Sequence, residues 1–259
     1  MKTEKRMGAW RYLNWAGLQL LRKDRESARR YWAESRRAYY RYRDRVIPGC
    51  DFYEIFPECN ESSARIEMIA EPTSGGLSKT ELYYLSLIGR HLPVRQAFEI
   101  GTFDGCAAAH LALNAKAQPG LKIHTLDLPP EQLSSSALFS ESDRDFIRQM
   151  RPAYYIHKYL TSDVVELLYG NSLDFDFSPY YQQMDLVFID GNHRREFVQH
   201  DSREALRMLR PGGVILWHDY YGIPGEDVSD FLREFAREYA LLRIRDTSLA
   251  VYWQPTDRE

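Results

Sequence analysis

The chain has 259 residues, of which 44% are hydrophobic and 27% are charged, and it contains only three cysteines. A chain of this size and composition can bury a large core, so a disulfide scaffold, a collagen-like repeat and general disorder are excluded. The formal net charge of -3 gives no overall electrostatic reason to expect nucleic acid as a partner.

The N-terminal region is strongly basic. Residues 1–45 contain fourteen Lys or Arg and five Asp or Glu, a net charge of +9. From Met7 to Val46 apolar residues recur at helical spacing, which predicts two amphipathic helices with basic outer faces. Such helices can pack on the main domain or on a second subunit, dock on an acidic or membrane surface, or contact nucleic acid. Packing is favoured, and it includes a homo-oligomer formed through these helices.

Targeting signals are not evident in this region. The apolar stretch around Trp10 to Leu21 is interrupted by Arg11, Asn14 and Gln19, so neither a membrane span nor a signal peptide is predicted. The cysteines form no CxxC pattern, which favours a reducing compartment, the cytoplasm. Pro and Gly recur through residues 47–77, which is typical of a connector with little regular structure. We expect a basic helical arm with its connector over residues 1–75 and a main domain over residues 76–259.

From Ser78 onward, helical and strand patterns alternate. Ser78 and Glu81 form a capping-box pattern, which predicts a helix that starts near Ser78. The predicted strands are Gln96 to Ile100, Lys122 to Leu128, Val165 to Tyr169, Asp185 to Asp190 and Val214 to Asp219, and the helices between them are Gly105 to Lys116, Ser142 to Met150 and Arg194 to Leu209. This alternation predicts an α/β fold, with a parallel sheet covered on both faces and ligands bound at the carboxyl ends of the strands.

The loop after the first strand reads Glu99-Ile-Gly101-Thr102-Phe103-Asp-Gly105. A dinucleotide fingerprint would need glycine where Phe103 and Cys106 stand, and no Gly-Lys-Ser/Thr of a P-loop follows. The loop therefore suits a cationic or hydroxyl-rich ligand better than a polyphosphate. Asp127 ends the second strand, where a carboxylate can accept hydrogen bonds from two ribose hydroxyls or serve only as a turn residue.

Five motifs occur in an order that resembles the class I S-adenosylmethionine-dependent methyltransferases. They are Glu99-x-Gly101-x-x-x-Gly105, Leu126-Asp127-Leu128, Gly170-Asn171-Ser172, Phe188-Ile189-Asp190-Gly191-Asn192-His193 and Leu209-Arg210-Pro211-Gly212-Gly213-Val214. The resemblance covers roughly residues 76–253. It implies a Rossmann-like, seven-stranded, mostly parallel sheet with helices on both faces, whose last hairpin contains the antiparallel strand. Ala240 to Arg245 and Ser248 to Trp253 fit that hairpin.

The resemblance also implies cofactor-binding roles. Gly101 and Gly105, with Thr102 and Phe103 between them, would wrap the methionine part of S-adenosylmethionine, and Glu99 would lie near its amino group. The remaining cofactor residues would be Asp127 and Leu128 at the ribose, Asn171 and Ser172 at the adenine, and Asp190 beside the methyl group. Family members often have Asp where this chain has Asn171, so that contact departs from the pattern.

Two further strand ends carry the candidate catalytic residues. Asp190, His193, His218 and Asp219 resemble the site of O-methyltransferases of the catechol and sugar type, in which two aspartates help to hold magnesium. Here Tyr220 follows Asp219, so the third oxygen ligand is missing. Two options stay open: a divalent metal on Asp190, Asp219 and a histidine, or metal-free catalysis with His193 or His218 as general base.

Each of these residues also has a purely structural interpretation. Asp190 can cap a helix, His193 can be a surface residue and His218 can be a hydrogen-bonded core histidine.

The segment between Asp127 and Val165 is longer than a standard helical crossover. It includes Leu133 to Phe139 and the aromatic group Tyr154, Tyr155, His157 and Tyr159. We expect it to act as a lid or to help select the acceptor, and the alternative is an extra surface helix.

The sequence therefore predicts a methyltransferase that acts on a hydroxyl of a small molecule, such as a sugar or a natural-product phenol. A non-catalytic cofactor-binding or scaffold protein is the first alternative. A nicotinamide-dependent oxidoreductase is the second, and Phe103 argues against it.

Overall fold

The structure is a computed structural model that describes residues 35–37, 39–40, 44–60, 65–69, 76–129, 132, 152–159, 161–222 and 224–256. Residues 35–37 and 39–40 are helical. The rest of the two predicted N-terminal helices, the segment Leu133 to Phe139 and the predicted helix Ser142 to Met150 lie outside the described residues. Among the described residues, no helix has the length and apolarity needed to cross a membrane.

The centre of the described structure is one eight-stranded sheet with the order β1-β7-β8-β6-β5-β2-β3-β4. The strands are β1 (Gly49–Cys50), β2 (Gln96–Ile100), β3 (Lys122–Asp127), β4 (Val165–Tyr169), β5 (Met184–Ile189), β6 (Leu209–Trp217), β7 (Leu242–Ile244) and β8 (Ala250–Trp253). Only β8 runs antiparallel to its neighbours, β6 and β7. The predicted mostly parallel sheet with an antiparallel last hairpin is confirmed.

The sheet has one strand beyond the seven expected. The short β1 pairs in parallel with β7, because the backbone N–H groups of Arg243 and Arg245 donate to the carbonyl oxygens of Pro48 and Cys50 at 3.0 and 2.9 Å. Pro48 has no N–H to offer a second neighbour, and such residues are tolerated at a sheet edge. Because β1 has only two residues and lies among turn-forming residues, it shows no strand pattern, and the sequence does not predict this pairing.

Helices cover both faces of the sheet. They are α1 (Phe52–Ile55), α2 (Lys79–His91), α3 (Cys106–Ala115), α4 (Tyr154–Lys158), α5 (Arg195–Met208) and α6 (Asp227–Phe235), with short 3-10 turns at Pro57–Asn60 and Ser178–Tyr180. The predicted capping box starts α2, since the Glu81 N–H donates to Ser78 Oγ at 3.3 Å and the Ser78 N–H donates to Glu81 Oε2 at 2.8 Å. These two bonds satisfy N–H groups that the first helical turn leaves without partners.

Two hydrophobic cores lie on opposite faces of the sheet. Along the fully buried β5, Leu186 and Phe188 face the core that contains α2 and α3, whereas Val187 and Ile189 face the core that contains α5 and α6. This alternation is the geometry of a strand covered on both sides, and it explains why β5 reads as a continuous apolar run.

Residues 44–60 pack against this two-sided domain. Ile47 is fully buried in the core with α5 and α6, and Phe52 and Phe56 are buried in the other core. The prolines and glycines of this segment predict a connector with little regular structure. The apolar residues between them nevertheless anchor the segment in the two cores. The division of the chain at residue 75 remains a prediction.

The order of the strands places the switch point of the sheet between β2 and β5. The chain proceeds from β2 to β3 and β4 on one side, and from β5 to β6 on the other. Loops that leave neighbouring strands in opposite directions open a crevice at their carboxyl ends, where ligands bind in such folds. The loop after β2 and the residues after β5 are therefore the place to look for a site.

Candidate active site

The loop after β2 needs both of its glycines. Gly101 has a φ of +101°, and a Cβ at this position would lie 2.1 Å from the carbonyl oxygen of Asp190. Gly105 has a φ of +77°, and a Cβ there would lie 2.7 Å from Cγ1 of Ile156. Only glycine adopts such backbone angles without strain and also permits these close approaches. The four-residue spacing of the glycines thus follows from two tight contacts, one with the loop after β5 and one with α4.

A cleft opens beside this loop at the switch point. Its lining consists of Gly76, Leu77, Glu99, Gly101, Thr102, Phe103, Asp104, Cys106, Ala107 and Asp190. Three of these residues carry carboxyl groups and none carries a basic group, so the cleft suits a ligand with positive charge. Of the predicted cofactor residues, Glu99, Gly101, Thr102, Phe103 and Asp190 meet here, whereas Gly105 packs against α4 behind the cleft.

Glu99 lies almost fully buried beneath the cleft. Its carboxyl group accepts a hydrogen bond from Thr125 Oγ1 at 2.5 Å, and Thr125 Oγ1 lies 2.7 Å from Thr102 Oγ1. Burial, together with the charges of Asp190, Asp127 and Asp104, holds the pKa of Glu99 well above its usual range. Glu99 is therefore poised to ionise when a cation approaches.

Asp127 closes the other side of the loop. Its Oδ2 accepts hydrogen bonds from the N–H groups of Thr102 at 3.1 Å and Phe103 at 2.8 Å, and its Oδ1 accepts one from Leu128 at 2.7 Å. Burial raises the pKa of Asp127 although these bonds oppose the change. Each carboxylate oxygen has two lone-pair directions, so Oδ1 keeps one for a ligand hydroxyl, whereas the two N–H groups occupy both directions of Oδ2. The residue predicted to bind ribose thus also fixes the backbone of the glycine loop.

Asn171 and Ser172 follow β4, one strand beyond Asp127, and they do not line the cleft. The side-chain oxygen of Asn171 accepts from the Leu173 N–H at 3.3 Å, and its amide nitrogen faces Asp174 at 3.4 Å. A hydrogen bond from Ser172 lowers the pKa of Asp201, which burial raises by a larger amount. The predicted adenine residues therefore lie at the same edge of the sheet as Asp127.

The residues after β5 and β6 form a buried charge cluster. The Nδ1 atom of His218 lies 2.9 Å from Asp190 Oδ1 and 3.2 Å from Asp219 Oδ2, and its Nε2 lies 3.5 Å from Glu81 Oε2. Burial disfavours a charge on His218, but Asp190 and Asp219 outweigh it and hold the pKa well above its usual range. His218, whose side chain is 5% exposed, therefore acts as an internal cation for the surrounding carboxylates.

His193 differs from His218 because its side chain is 63% exposed. Its Nε2 lies 2.8 Å from Asp219 Oδ2, and Tyr221 Oη donates to Asp219 Oδ1 at 2.5 Å. The hydrogen bond with Asp219 raises the pKa of His193, whereas burial opposes that change. His218 and His193 hold the pKa of Asp219 well below its usual range despite its burial. The arrangement is an exposed imidazole held by an ionised carboxylate.

Asp190, His193 and Asp219 could also hold a metal ion. One ligand atom from each residue lies within 4.8 Å of the others. Two carboxylate oxygens and one imidazole nitrogen suit a divalent ion that tolerates nitrogen. The hydroxyl group of Tyr220, which stands where a third oxygen ligand was sought, instead donates to Asp44.

Several residues at the site were not predicted from the sequence. The sequence predicts Glu81 only as a helix cap, and it assigns no role to Asp104 or Tyr221. In the structure Glu81 contacts His218, Asp104 lines the cleft and Tyr221 donates to Asp219. The acidic character of Asp104 within the motif was an available signal. Glu81 and Tyr221 join the site through contacts that depend on the fold, so no local pattern pointed to them.

Comparison with known proteins agrees with this geometry. Residues 98–220 match the family model described as a methyltransferase domain. The matched region contains all five motifs, so the resemblance to the methyltransferases that these motifs predicted is confirmed. No curated protein matches the chain in sequence.

Three solved structures illustrate the shared fold. The O-methyltransferase TomG of Streptomyces achromogenes, in complex with S-adenosylmethionine, is 16% identical with a TM-score of 0.52, and the match covers 78% of this chain and 96% of that one. The Podospora anserina methyltransferase PaMTH1, bound to S-adenosylhomocysteine, is 15% identical with a TM-score of 0.52 over 90% and 97%. A putative O-methyltransferase of Klebsiella pneumoniae is 16% identical with a TM-score of 0.50 over 82% and 91%.

Proposed function

We propose that this methyltransferase moves the methyl group of S-adenosylmethionine to a hydroxyl group of a small-molecule acceptor. The observation that carries the proposal is the position of the His193–Asp219 pair next to the acidic cleft, with Asp190 belonging to both. TomG, which shares the fold, is an O-methyltransferase in complex with S-adenosylmethionine. A sugar or a natural-product phenol is the type of acceptor proposed.

The cleft fits the cofactor chemically. When bound, S-adenosylmethionine supplies an electrophilic methyl group on a positively charged sulfur atom. Glu99, Asp104 and Asp190 line the cleft and favour a ligand with ammonium and sulfonium charges. Asp127, with the remaining lone pair of its Oδ1, would accept from a ribose hydroxyl, with Leu128 beside it, and Asn171 and Ser172 would contact the adenine.

His193 is the proposed general base. Its Nε2–H donates to the ionised Asp219, which leaves the lone pair of Nδ1 to take the proton of the acceptor hydroxyl. The exposure of His193 allows an acceptor to reach that atom. Asp219 keeps the ring in this orientation and stabilises the imidazolium that forms, while Tyr221 holds the second oxygen of Asp219.

His218 is less suited to the role of base. It is buried, and both ring nitrogens face carboxylates of Glu81, Asp190 or Asp219. Asp190 and Asp219 hold the pKa of His218 well above its usual range and so favour the protonated ring, which has no lone pair to accept another proton. Its proposed role is to balance the charges of Asp190 and Asp219 beside the reacting groups.

A metal-assisted version is the second candidate, and the spacing of the donor atoms of Asp190, His193 and Asp219 supports it. These three residues would hold the ion, which would lower the pKa of an acceptor hydroxyl. Isothermal titration of the protein with magnesium and manganese, combined with methyl transfer in excess chelator, separates the two versions. Unchanged transfer in chelator and no ion binding would remove the metal.

Calorimetry with S-adenosylhomocysteine tests the cofactor site. The wild-type protein should bind it, and Asp127→Ala should weaken binding by about tenfold or more, because the ribose contacts and the support of the glycine loop are both lost. Asp176→Ala, which changes an exposed carboxylate away from the cleft, is the matched control. No binding by wild type, or undiminished binding by Asp127→Ala, would refute the cofactor assignment.

The same titration decides between the other classes of function. Binding of NAD in place of S-adenosylhomocysteine would support the oxidoreductase. Binding of S-adenosylhomocysteine without methyl transfer to any hydroxyl compound of a broad panel would support a non-catalytic cofactor-binding or scaffold protein.

Three organisational features also belong to the proposal. They are a division into an arm over residues 1–75 and a catalytic domain over residues 76–259, association of two copies through the N-terminal helices, and a cytoplasmic location. The three free thiols Cys50, Cys59 and Cys106 support a reducing compartment. Light scattering of the full chain and of a chain lacking residues 1–34 tests the association.

A further inference from the structure

The described end of the basic N-terminal region lies against the acceptor side of the site. The Arg37 guanidinium carbon lies 4.2 Å from the centre of the Tyr221 ring, and Arg36 lies 3.7 Å from Glu226. Asp44 lies 3.4 Å from Arg233 and accepts a hydrogen bond from Tyr220. Arg36, Arg37 and Asp44 therefore contact the loop after β6 and the helix that follows it.

Arg37 is connected to the proposed base by a short chain of contacts. Tyr221, over whose ring Arg37 lies, donates its hydroxyl hydrogen to Asp219, and Asp219 holds His193. One tyrosine side chain thus separates the guanidinium of Arg37 from the carboxylate that orients the base. An acceptor whose hydroxyl faces His193 could therefore place another of its groups near Arg37.

No described carboxylate neutralises the charge of Arg37. Among the described residues, Glu226 pairs with Arg36 and Asp44 with Arg233, but none forms an ion pair with Arg37. A guanidinium that lies over an aromatic ring still presents N–H groups along its edge, in a geometry that matches a carboxylate or a phosphate. Arg37 therefore has the form of an anion-binding side chain held in place by Tyr221.

The surrounding charges allow an anion to approach this point. Asp190 Oδ1 and Asp219 Oδ2 lie 2.9 and 3.2 Å from His218 Nδ1, and Asp219 Oδ2 lies 2.8 Å from His193 Nε2, so both carboxylates already have imidazole partners. Residues 1–45 carry a net charge of +9, and their described end lies at this side of the site. A basic segment beside a binding site raises the local concentration of anionic ligands.

We infer that the acceptor is a hydroxyl compound with an anionic group, a carboxylate or a phosphate, which binds Arg37 while its hydroxyl group faces His193. This inference rests on the proposed function, because it concerns the acceptor of the same site. It assigns to the basic region a part in substrate recognition.

Binding of matched probes to the protein loaded with S-adenosylhomocysteine tests the inference. The probes are para-hydroxybenzoate against its methyl ester, glucuronate against glucose, and glucose 6-phosphate against glucose. In at least one pair the anionic member should bind about tenfold more tightly, as expected for a charged hydrogen bond. Equal binding within every pair, or no binding of any anion at millimolar concentration, would overturn the inference. The phosphate pair distinguishes the two anionic groups.

Variants assign the effect to Arg37. Arg37→Gln should abolish the preference for the anion, and Tyr221→Ala should reduce it because the guanidinium loses its support. Tyr221→Phe, which keeps the ring, and Arg36→Gln, which removes an equal charge from the same segment, should both keep the preference. A preference that survives Arg37→Gln would overturn the inference.

The control measurement is the affinity of each variant for S-adenosylhomocysteine. Retained affinity shows that the variant is folded and that the cofactor site is intact, so a lost anion preference then belongs to Arg37. If wild type fails to bind S-adenosylhomocysteine, the proposed function itself fails, and this result is distinct from failure of the acceptor inference.

Discussion

Two histidines lie within reach of the same aspartate, and their surroundings give them different chemistry. His218 is buried among Asp190, Asp219 and Glu81, whereas His193 makes one contact with Asp219 and is otherwise exposed. A base must reach its substrate and accept a proton near neutral pH. Exposure and the number of carboxylate partners, not residue type, therefore separate the two roles.

Replacement of His193 tests this separation. His193→Gln should lower the rate of methyl transfer by roughly a hundredfold or more, the usual contribution of a general base, with little change in affinity for S-adenosylhomocysteine. His124→Gln is a suitable control, since His124 also pairs with a carboxylate, Glu166 at 2.8 Å, but on another part of the sheet. Full activity of the His193 variant would contradict the assignment.

Cys106 provides a second residue-level test because it lines the acidic cleft. Burial, with the charges of Asp104 and Glu99, raises the pKa of Cys106 to about 12. Since only the thiolate is alkylated, iodoacetamide should modify Cys106 at slightly alkaline pH roughly a thousandfold more slowly than in the unfolded chain. The rate should rise with pH, because each unit increases the thiolate fraction about tenfold until the raised pKa is reached.

Peptide mapping by mass spectrometry measures this rate, with the protein in denaturant as the reference. S-adenosylhomocysteine should slow the modification further if it occupies the cleft. Modification of native Cys106 as fast as in denaturant would show that the thiol is not held as described.

At the scale of elements, the glycine loop joins three parts of the fold. It leaves β2, passes under the residues after β5 at Gly101, and meets α4 at Gly105. The backbone of Phe103 has a φ of +54° and donates its N–H to Asp127, which ties the same loop to β3. A change in this loop should therefore affect stability and cofactor binding together.

Alanine substitutions at two glycines separate strain from close contact. Gly101→Ala places a Cβ 2.1 Å from the Asp190 carbonyl oxygen at a φ of +101°, and it should cost about 3 kcal/mol or more of unfolding free energy and abolish cofactor binding. Gly120→Ala, with a φ of +72° and no atom within 4 Å of the new Cβ, should cost only about 1 kcal/mol. Urea unfolding and calorimetry measure both effects, and equal costs would contradict the role of the close contact.

Elements with strong local patterns were predicted well. The bounds of β2 and β4 match the predicted strands, and α5 differs by one residue at each end, because apolar runs with turn residues beside them define these elements. The start of β6 was placed at Val214, whereas the strand begins at Leu209. Pro211, Gly212 and Gly213 indicate a turn, but the strand continues through them, with a φ of +77° at Gly212 and a shift of register against β5.

Features that depend on distant residues were not predictable in this way. The position of the motifs at strand ends indicated that Asp190, His193 and Asp219 would meet, because parallel strands bring their carboxyl ends to one edge. Nothing local linked Glu81 to His218 or Arg37 to Tyr221. These contacts join segments that are distant in the chain and meet only in the folded structure. Periodicity and residue spacing therefore cannot predict them.

At the scale of the whole molecule, the segment that precedes β1 is joined to the catalytic side by a buried polar cluster. The Asp44 side chain is fully buried, accepts a hydrogen bond from Tyr220 and lies 3.4 Å from Arg233. Ile47, three residues later, is buried in the core beside α5 and α6. The arm is thus attached beside the residues that hold Asp219.

Removal of Asp44 should therefore destabilise the domain and not only release the arm. Asp44→Ala leaves the Arg233 charge and the Tyr220 hydroxyl without their partner, and a loss of about 3 kcal/mol is expected when one member of a buried pair is removed. Arg36→Gln breaks an exposed pair in the same segment and should cost less than about 1 kcal/mol.

A double-mutant cycle with Asp44→Asn and Tyr220→Phe isolates the contact, with unfolding followed in urea. Groups in direct contact should give a coupling of about 1–3 kcal/mol, and a single unfolding transition should persist because the segment belongs to the cooperative unit. Additive effects would mean that the two residues act independently. Appearance of an early, separate transition in Asp44→Asn would mean that the arm unfolds before the sheet, which the burial of Ile47 argues against.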